Sequence, residues 1–204
     1  MSQYHHGSLK QTLMQLALER IMEVGVEGVS MRQLAKDAGV SHAAPMRHFK
    51  SKEDLLSALM ATFHQQLAER LSARVAEEAP RDGQATLRVM ASAAMEWARE
   101  HPAEFSVIIN PDVSRHTSEQ TRQSLSDLMN LIAEAIIGSS PDSSIDRRAL
   151  DTTVVYVVGA VLGVGFLGAN PLMHQVYPDS DVDLDAIADH ISAAVSLMPS
   201  QPAD

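Results

Sequence analysis

Between Ser30 and Lys52 the chain sets Arg32, Lys36, Arg47, Lys50 and Lys52 among small hydroxyl residues and two histidines, with Asp37 as the lone carboxylate. Guanidinium forks and ammonium groups that outnumber their carboxylates suit phosphate oxygens. Ser30 and Ser41 stand at helix starts, where hydroxyls and unpaired amides also favour anions. Arg32 can read a guanine edge or hold a phosphate, and Ala43 is small enough to approach a groove and touch a thymine methyl. His42, Arg47 and His48 extend the same run. No pattern elsewhere points to catalysis. The chain has no His-Glu-x-x-His, no glycine-rich phosphate loop and no Gly-x-Ser-x-Gly, and His64 and His101 lack paired-ligand spacing. Its 204 residues include no cysteine, which excludes disulfides and thiolate chemistry. No catalytic residue, metal or cofactor is expected.

The charge is distributed unevenly. The net charge of −10 speaks against a polyanionic partner, but residues 1–52 carry seven cations against four anions, a net +3. Residues 53–204 carry nine cations and 22 anions, a net −13. An acidic body that repels phosphate everywhere except at one basic face would orient an encounter with nucleic acid. The polar opening, Met1 to Gly7, predicts no leader, and the lack of cysteine suits a reducing cytoplasm. The longest apolar run, Val154 to Ala169, is interrupted by four glycines and is read as a buried helix rather than a membrane span.

The elements that must position the basic run are helices. Leu9, Leu13, Leu16, Ala17, Ile21 and Val24 follow helical spacing up to Gly25. Ser30 and Gln33 predict a capping box, with Val29 stapling onto Leu34, and Gly39 ends that second helix. Ser41 caps a third, short helix from His42 to about His48, in which Pro45 predicts a loose start. Phe49 enters the core, and Ser51 to Asp54 opens a long fourth helix reaching Glu78. Further helices are predicted over 85–100, 102–109, 118–137, 147–168 and 184–198, with loops over 138–144 and 170–181. The fourth of these, 147–168, is apolar almost all round, which predicts burial on more than one side. No strand alternation appears, so the fold is predicted all-α with about nine helices. The predicted division is a head, residues 1–52, and a body, residues 53–204.

Three helices with a glycine turn between the second and third describe a helix-turn-helix. With Tyr4-His-His-Gly-Ser-Leu9, Ser30-Met-Arg-Gln-Leu-Ala35, Ala38-Gly-Val-Ser41 and His48-Phe49-Lys-Ser-Lys52-Glu-Asp-Leu55, residues 4–67 closely resemble the TetR family of bacterial transcriptional regulators. A weaker likeness continues in Trp97 to Pro102 and Phe105. The resemblance implies a homodimer on a palindromic DNA operator. It also implies that the fourth helix transmits motion and that the last two long helices pair across the dimer. It places Arg32 toward the groove and puts His48 and Lys52 on the DNA backbone.

Met46 departs from that pattern. The family commonly has a tyrosine there, whose hydroxyl binds phosphate, and a thioether cannot donate that bond. Arg47 compensates, binding is weaker, or apolar contact is preferred at that point. His5 and His6 have the types of a metal pair, and the family's own lead-in accounts for them as an arm along the DNA. A regulator of this kind needs an effector pocket. Phe63, His64, Trp97, Phe105, Met129, Tyr156 and Phe166 are its candidates, for a hydrophobic or aromatic small molecule. Plain core packing competes for each residue. A body acting only as dimer scaffold, or an activator in place of a repressor, competes for the whole.

Overall fold

A computed structural model describes residues 9–139, 146–168, 175 and 183–196. The lead-in from Tyr4 to Ser8 with its two histidines, most of the predicted loops over 138–144 and 170–181, and the end of the last helix at Met198 lie outside the described residues. Among the described residues all regular structure is helical. The helices are α1 (Leu9–Val24), α2 (Met31–Asp37), a 310 turn (Pro45–Arg47), α3 (Lys52–Glu78), α4 (Gly83–Glu100), α5 (Pro102–Ile108), α6 (Pro111–Ser114), α7 (Glu119–Ser139), α8 (Arg147–Gly168) and α9 (Leu184–Ser196).

Two compact units form, and neither is one continuous stretch of chain. The first holds residues up to His64 together with His101–Ser124, and the second holds Gln65–Glu100 together with Leu125 onward. Helices α3 and α7 each contribute to both. In the first unit Leu13, Ala17, Leu34, Phe49, Leu55 and Phe105 are buried, and α1 packs on α2 and α5. Pro102 occupies the first turn of α5, where its missing N–H costs nothing. Asn110 caps the short α6 by accepting from the amides of Asp112 and Val113, a helix the apolar periodicity does not reveal.

The second unit is built around α4, which packs on α9 and α8. Leu71, Leu87, Met95, Leu128, Ile136, Val157, Ala188 and Ile191 form its core. A Cβ added to Gly83 would come within 2.1 Å of the Gly138 carbonyl carbon, so glycine is what lets the start of α4 meet the end of α7. Arg74 pairs with Glu78 at 2.9 Å and Glu96 at 3.0 Å, and Arg88 reaches Glu78 and Asp185 at 3.4 and 3.7 Å. These pairs are half-exposed, so screening leaves each of them little weight in stability.

Three details of the sequence reading change. Ser30 has the extended backbone of an N-cap, but its side chain makes no cap bond, and Gln33 donates to Asp37 at 2.7 Å instead of closing a box. Val24 is 53% exposed, because α1 turns its last apolar position outward before Gly25. Helix α8 is not enclosed: Val155, Tyr156, Phe166 and Leu167 are exposed, while Thr153 and Val157 are buried. By length and composition alone α8 is apolar enough to cross a bilayer.

Candidate nucleic-acid interface

The basic run is shaped by local backbone chemistry. Gly25 takes φ +73° and stops α1. Gly39, with φ +66°, closes α2 in a Schellman motif: the Val40 amide donates to the Ala35 carbonyl and the Gly39 amide to the Lys36 carbonyl, both at 3.0 Å. The chain then runs through successive tight turns. The Ala44 amide bonds the Ser41 carbonyl at 2.9 Å, and the His48 amide bonds that of Pro45 at 2.9 Å. The short helix expected over 42–48 is therefore a 310 turn, because Pro45 has no amide to continue an α-helical ladder. Pro45 and Phe49 are buried beneath it, and the Lys10 ammonium lies 5.7 Å from the centre of the Phe49 ring.

Helix α3 opens on a reciprocal cap. The Asp54 amide donates to Ser51 Oγ at 3.2 Å, and the Asp54 carboxylate accepts from the Lys50 amide at 2.9 Å. Hydrogen bonds from Ser51 and from its own backbone amide hold the Glu53 carboxyl below the ordinary range, helped by nearby His116 and Lys52. These groups border an open cleft of about 430 Å³, lined by Lys50, Glu53, Asp54, Ser57, His116 and Ser118 among others.

The sequence-predicted DNA residues belong to α2, to the 310 turn that packs against it, and to the segments flanking them. Ser30, Arg32, Ser41, His42, Ala43, Met46, Arg47 and His48 are exposed. Lys52 differs: it is half-buried, and its ammonium donates to the Glu27 carbonyl at 2.9 Å, tying α3 to the turn after α1. Arg20 is also occupied, by Glu23 at 2.7 Å and Asp37 at 3.3 Å, which raises its pKa. Arg32, Lys36, Arg47 and Lys50 form no ion pair with a described residue. Lys36 and Lys50, cations of the same run to which the family resemblance gives no DNA contact, share the exposure of Arg32 and Arg47. The signal for Lys36 was its i+4 spacing from Arg32 on α2.

The effector candidates divide between the units. Phe63, His64 and Phe105 lie in the first, and Trp97, Met129, Tyr156 and Phe166 in the second. Phe63, His64, Trp97 and Phe105 are buried, Met129 is half-buried, and Tyr156 and Phe166 are exposed on α8. His64 joins a hydroxyl network that the sequence did not reveal. Thr121 Oγ1 donates to the Ser57 carbonyl at 2.9 Å and lies 2.8 Å from Ser57 Oγ and 2.9 Å from Ser118 Oγ. Ser57 Oγ in turn accepts from the Ser118 amide at 2.9 Å. Ser124 Oγ gives its one hydrogen to the Thr121 carbonyl, so His64 Nδ1, 3.2 Å away, donates to Ser124. Burial pushes the His64 pKa down, with the Thr121 backbone opposing in part.

Residues 13–59 match the sequence model of the bacterial regulatory proteins, tetR family. The regulator BetI of Yersinia pestis (strain Pestoides F) is 33% identical over 82 residues, covering 40% of this chain and 41% of BetI. The chain thus aligns with about two fifths of the length of this curated relative. Over nearly its whole length the fold resembles a Rhodococcus sp. RHA1 protein of unknown function, with TM-score 0.73, 25% identity, and 98% and 100% of the two chains covered. The fold also resembles AibR, crystallised with isovaleryl coenzyme A and operator DNA, with TM-score 0.64, 20% identity, and 91% and 97% covered. Residues 13–59 thus carry the sequence module of the tetR family of bacterial regulatory proteins, and the chain as a whole shares its all-helical fold with the solved structures it resembles.

Proposed function

We infer that the protein is a ligand-responsive transcriptional regulator that binds a palindromic DNA operator as a homodimer and represses until a small hydrophobic or aromatic effector releases it. Residues 1–52 serve as the DNA head and residues 53–204 as the effector-binding and dimerisation body. The carrying observation is the exposed cationic set Arg32, Lys36, Arg47 and Lys50, which has no described carboxylate partner and surrounds a helix-turn-helix turn. Such cations find their partners in phosphates and base edges. Fluorescence anisotropy with DNA fragments selected from a randomised duplex library tests the reading. Sequence-specific binding that weakens steeply with salt supports it. Absence of any salt-dependent DNA binding refutes it.

The second copy is expected along α8 and α9. Val155 is 71% exposed and Phe166 54%, and a Cβ at Gly159 or Gly163 would meet nothing within 4 Å. An apolar helix face with open glycine positions suits close approach by its two-fold mate. A two-fold dimer would set two recognition turns about 34–36 Å apart, one turn of DNA. The effector reading draws on AibR, whose bound isovaleryl coenzyme A is an acyl thioester. In this chain the tight burial of Phe63, Trp97 and Phe105 favours packing until a ligand opens space. A thermal-shift screen with aromatic acids and short acyl thioesters tests it. No stabilisation by any of them would leave the body as a dimer scaffold.

A further inference from the structure

Met46 is 50% exposed, although Pro45 before it and Phe49 after it are buried. The turn is anchored from beneath, and its outward side carries the methionine. Ala43, three residues earlier in the turn that leads into the 310 segment, is exposed as well. Arg47 follows Met46 in the chain, and Arg32 and Lys36 occupy exposed positions on α2, which packs against the 310 turn. Two exposed apolar side chains thus sit among cations that have no ion pair with a described residue. Neither a thioether chain nor a methyl group can donate a hydrogen bond to phosphate. Leaving this surface in water forgoes apolar burial that only an apolar partner supplies. On the base edges of the major groove the one apolar group is the C5-methyl of thymine.

The geometry points to Met46, backed by Ala43, as a thymine reader: each half of the bound site contains a thymine whose C5-methyl rests on the Met46 side chain. This rests on the DNA-binding reading above and adds a base preference to it. The cations hold phosphates and fix register without reading sequence. Met46 then discriminates by the presence or absence of one methyl group. As an unbranched, adaptable side chain it can follow that methyl without a strained rotamer.

The test uses the full-length protein and its best binder from an unmethylated randomised duplex library, in which thymine is the one source of a C5-methyl. Each thymine in one half-site is replaced in turn by deoxyuridine, and affinity is read by anisotropy. The expected result is one position at which uracil weakens binding about four-fold, the effect of one methyl taken out of apolar contact. Met46→Ala should bind the thymine duplex about as weakly as the wild type binds the uracil duplex, and should not distinguish the two bases there. Met46→Leu should retain the discrimination. A flat uracil scan with tight binding overturns the inference alone, as does a uracil penalty that persists in Met46→Ala. Failure to enrich any duplex overturns the DNA-binding reading and this inference with it.

Discussion

Arg32 and Lys52 carry the same charge but have different partners. Arg32 is exposed with no described ion pair, while Lys52 holds the Glu27 carbonyl at 2.9 Å. Arg32→Ala should therefore weaken DNA binding across sequences and reduce the slope of log K against log salt by about one if it holds a phosphate. Its melting temperature should stay near that of the wild type. Lys52→Met should lower DNA affinity and also stability, by about 1 kcal/mol, because a charge-assisted bond between α3 and the preceding turn is lost. Thermal melts beside anisotropy separate the two outcomes. The family resemblance assigns both residues to DNA, because residue type and spacing are what carry it. That Lys52 is half spent on a carbonyl is a three-dimensional fact, set by the Gly25–Gly28 turn. His64 gives a second expectation. Its folded pKa lies below its unfolded value, so the unfolded chain binds more protons and stability rises with pH. The contribution of neutral His64 is complete above the unfolded pKa of about 6.5 and is lost as pH falls through that value toward the lowered folded one. Melting followed from about pH 7.5 to about 5.5 should show a steeper decline for the wild type than for His64→Gln. Equal slopes would place the pH dependence elsewhere.

Among elements, contacts local in sequence were the legible ones. The glycine ends of α1 and α2 and the cap of α3 depend on residues a few positions apart, and all appear as expected in the structure. The recognition segment was only half legible. Pro45 signalled a weak helix start, but the absent amide shortens the helix to a single 310 turn. The network joining α3 to α7 could not be read at all, since Ser57 and Thr121 lie 64 positions apart and serine and threonine are ordinary surface residues. Within it the Thr121 hydroxyl donates once and is approached by two other hydroxyls in a buried setting. Thr121→Val keeps the volume but strands those partners, which should cost about 1–3 kcal/mol. Thr121→Ser should recover most of it, as read by urea denaturation. Gly83→Ala should be as damaging as any single helix substitution in the second unit, because the added carbon overlaps backbone rather than a side chain that can move aside. A melting temperature unchanged by that substitution would mean α4 and α7 separate at no cost.

At the scale of the molecule, the apolar character of α8 was visible, but where it is covered was not. Periodicity cannot distinguish burial within one chain from burial between two copies, and the described chain leaves Val155 and Phe166 exposed. Val155→Asp should leave helix content intact, since the side chain packs on little of its own chain. It should convert a sedimenting dimer to monomer and weaken operator binding, because the two heads no longer act at high effective concentration. A dimer that persists would place the interface elsewhere. The charge division predicts a kinetic signature for the proposed DNA binding as well: with +3 on residues 1–52 and −13 on residues 53–204, association with DNA should be orientation-selective in a way that fades as salt rises.

The discontinuous first unit also determines how this chain can be recombined with others. A head exchanged at residue 52 would cut through the Ser51–Asp54 cap. A graft of residues 1–64 alone would carry Ser57 and His64 without Ser118, Thr121 and Ser124, which complete their bonding. The transplantable piece is two segments, the N-terminal stretch and the 101–124 stretch, moved together.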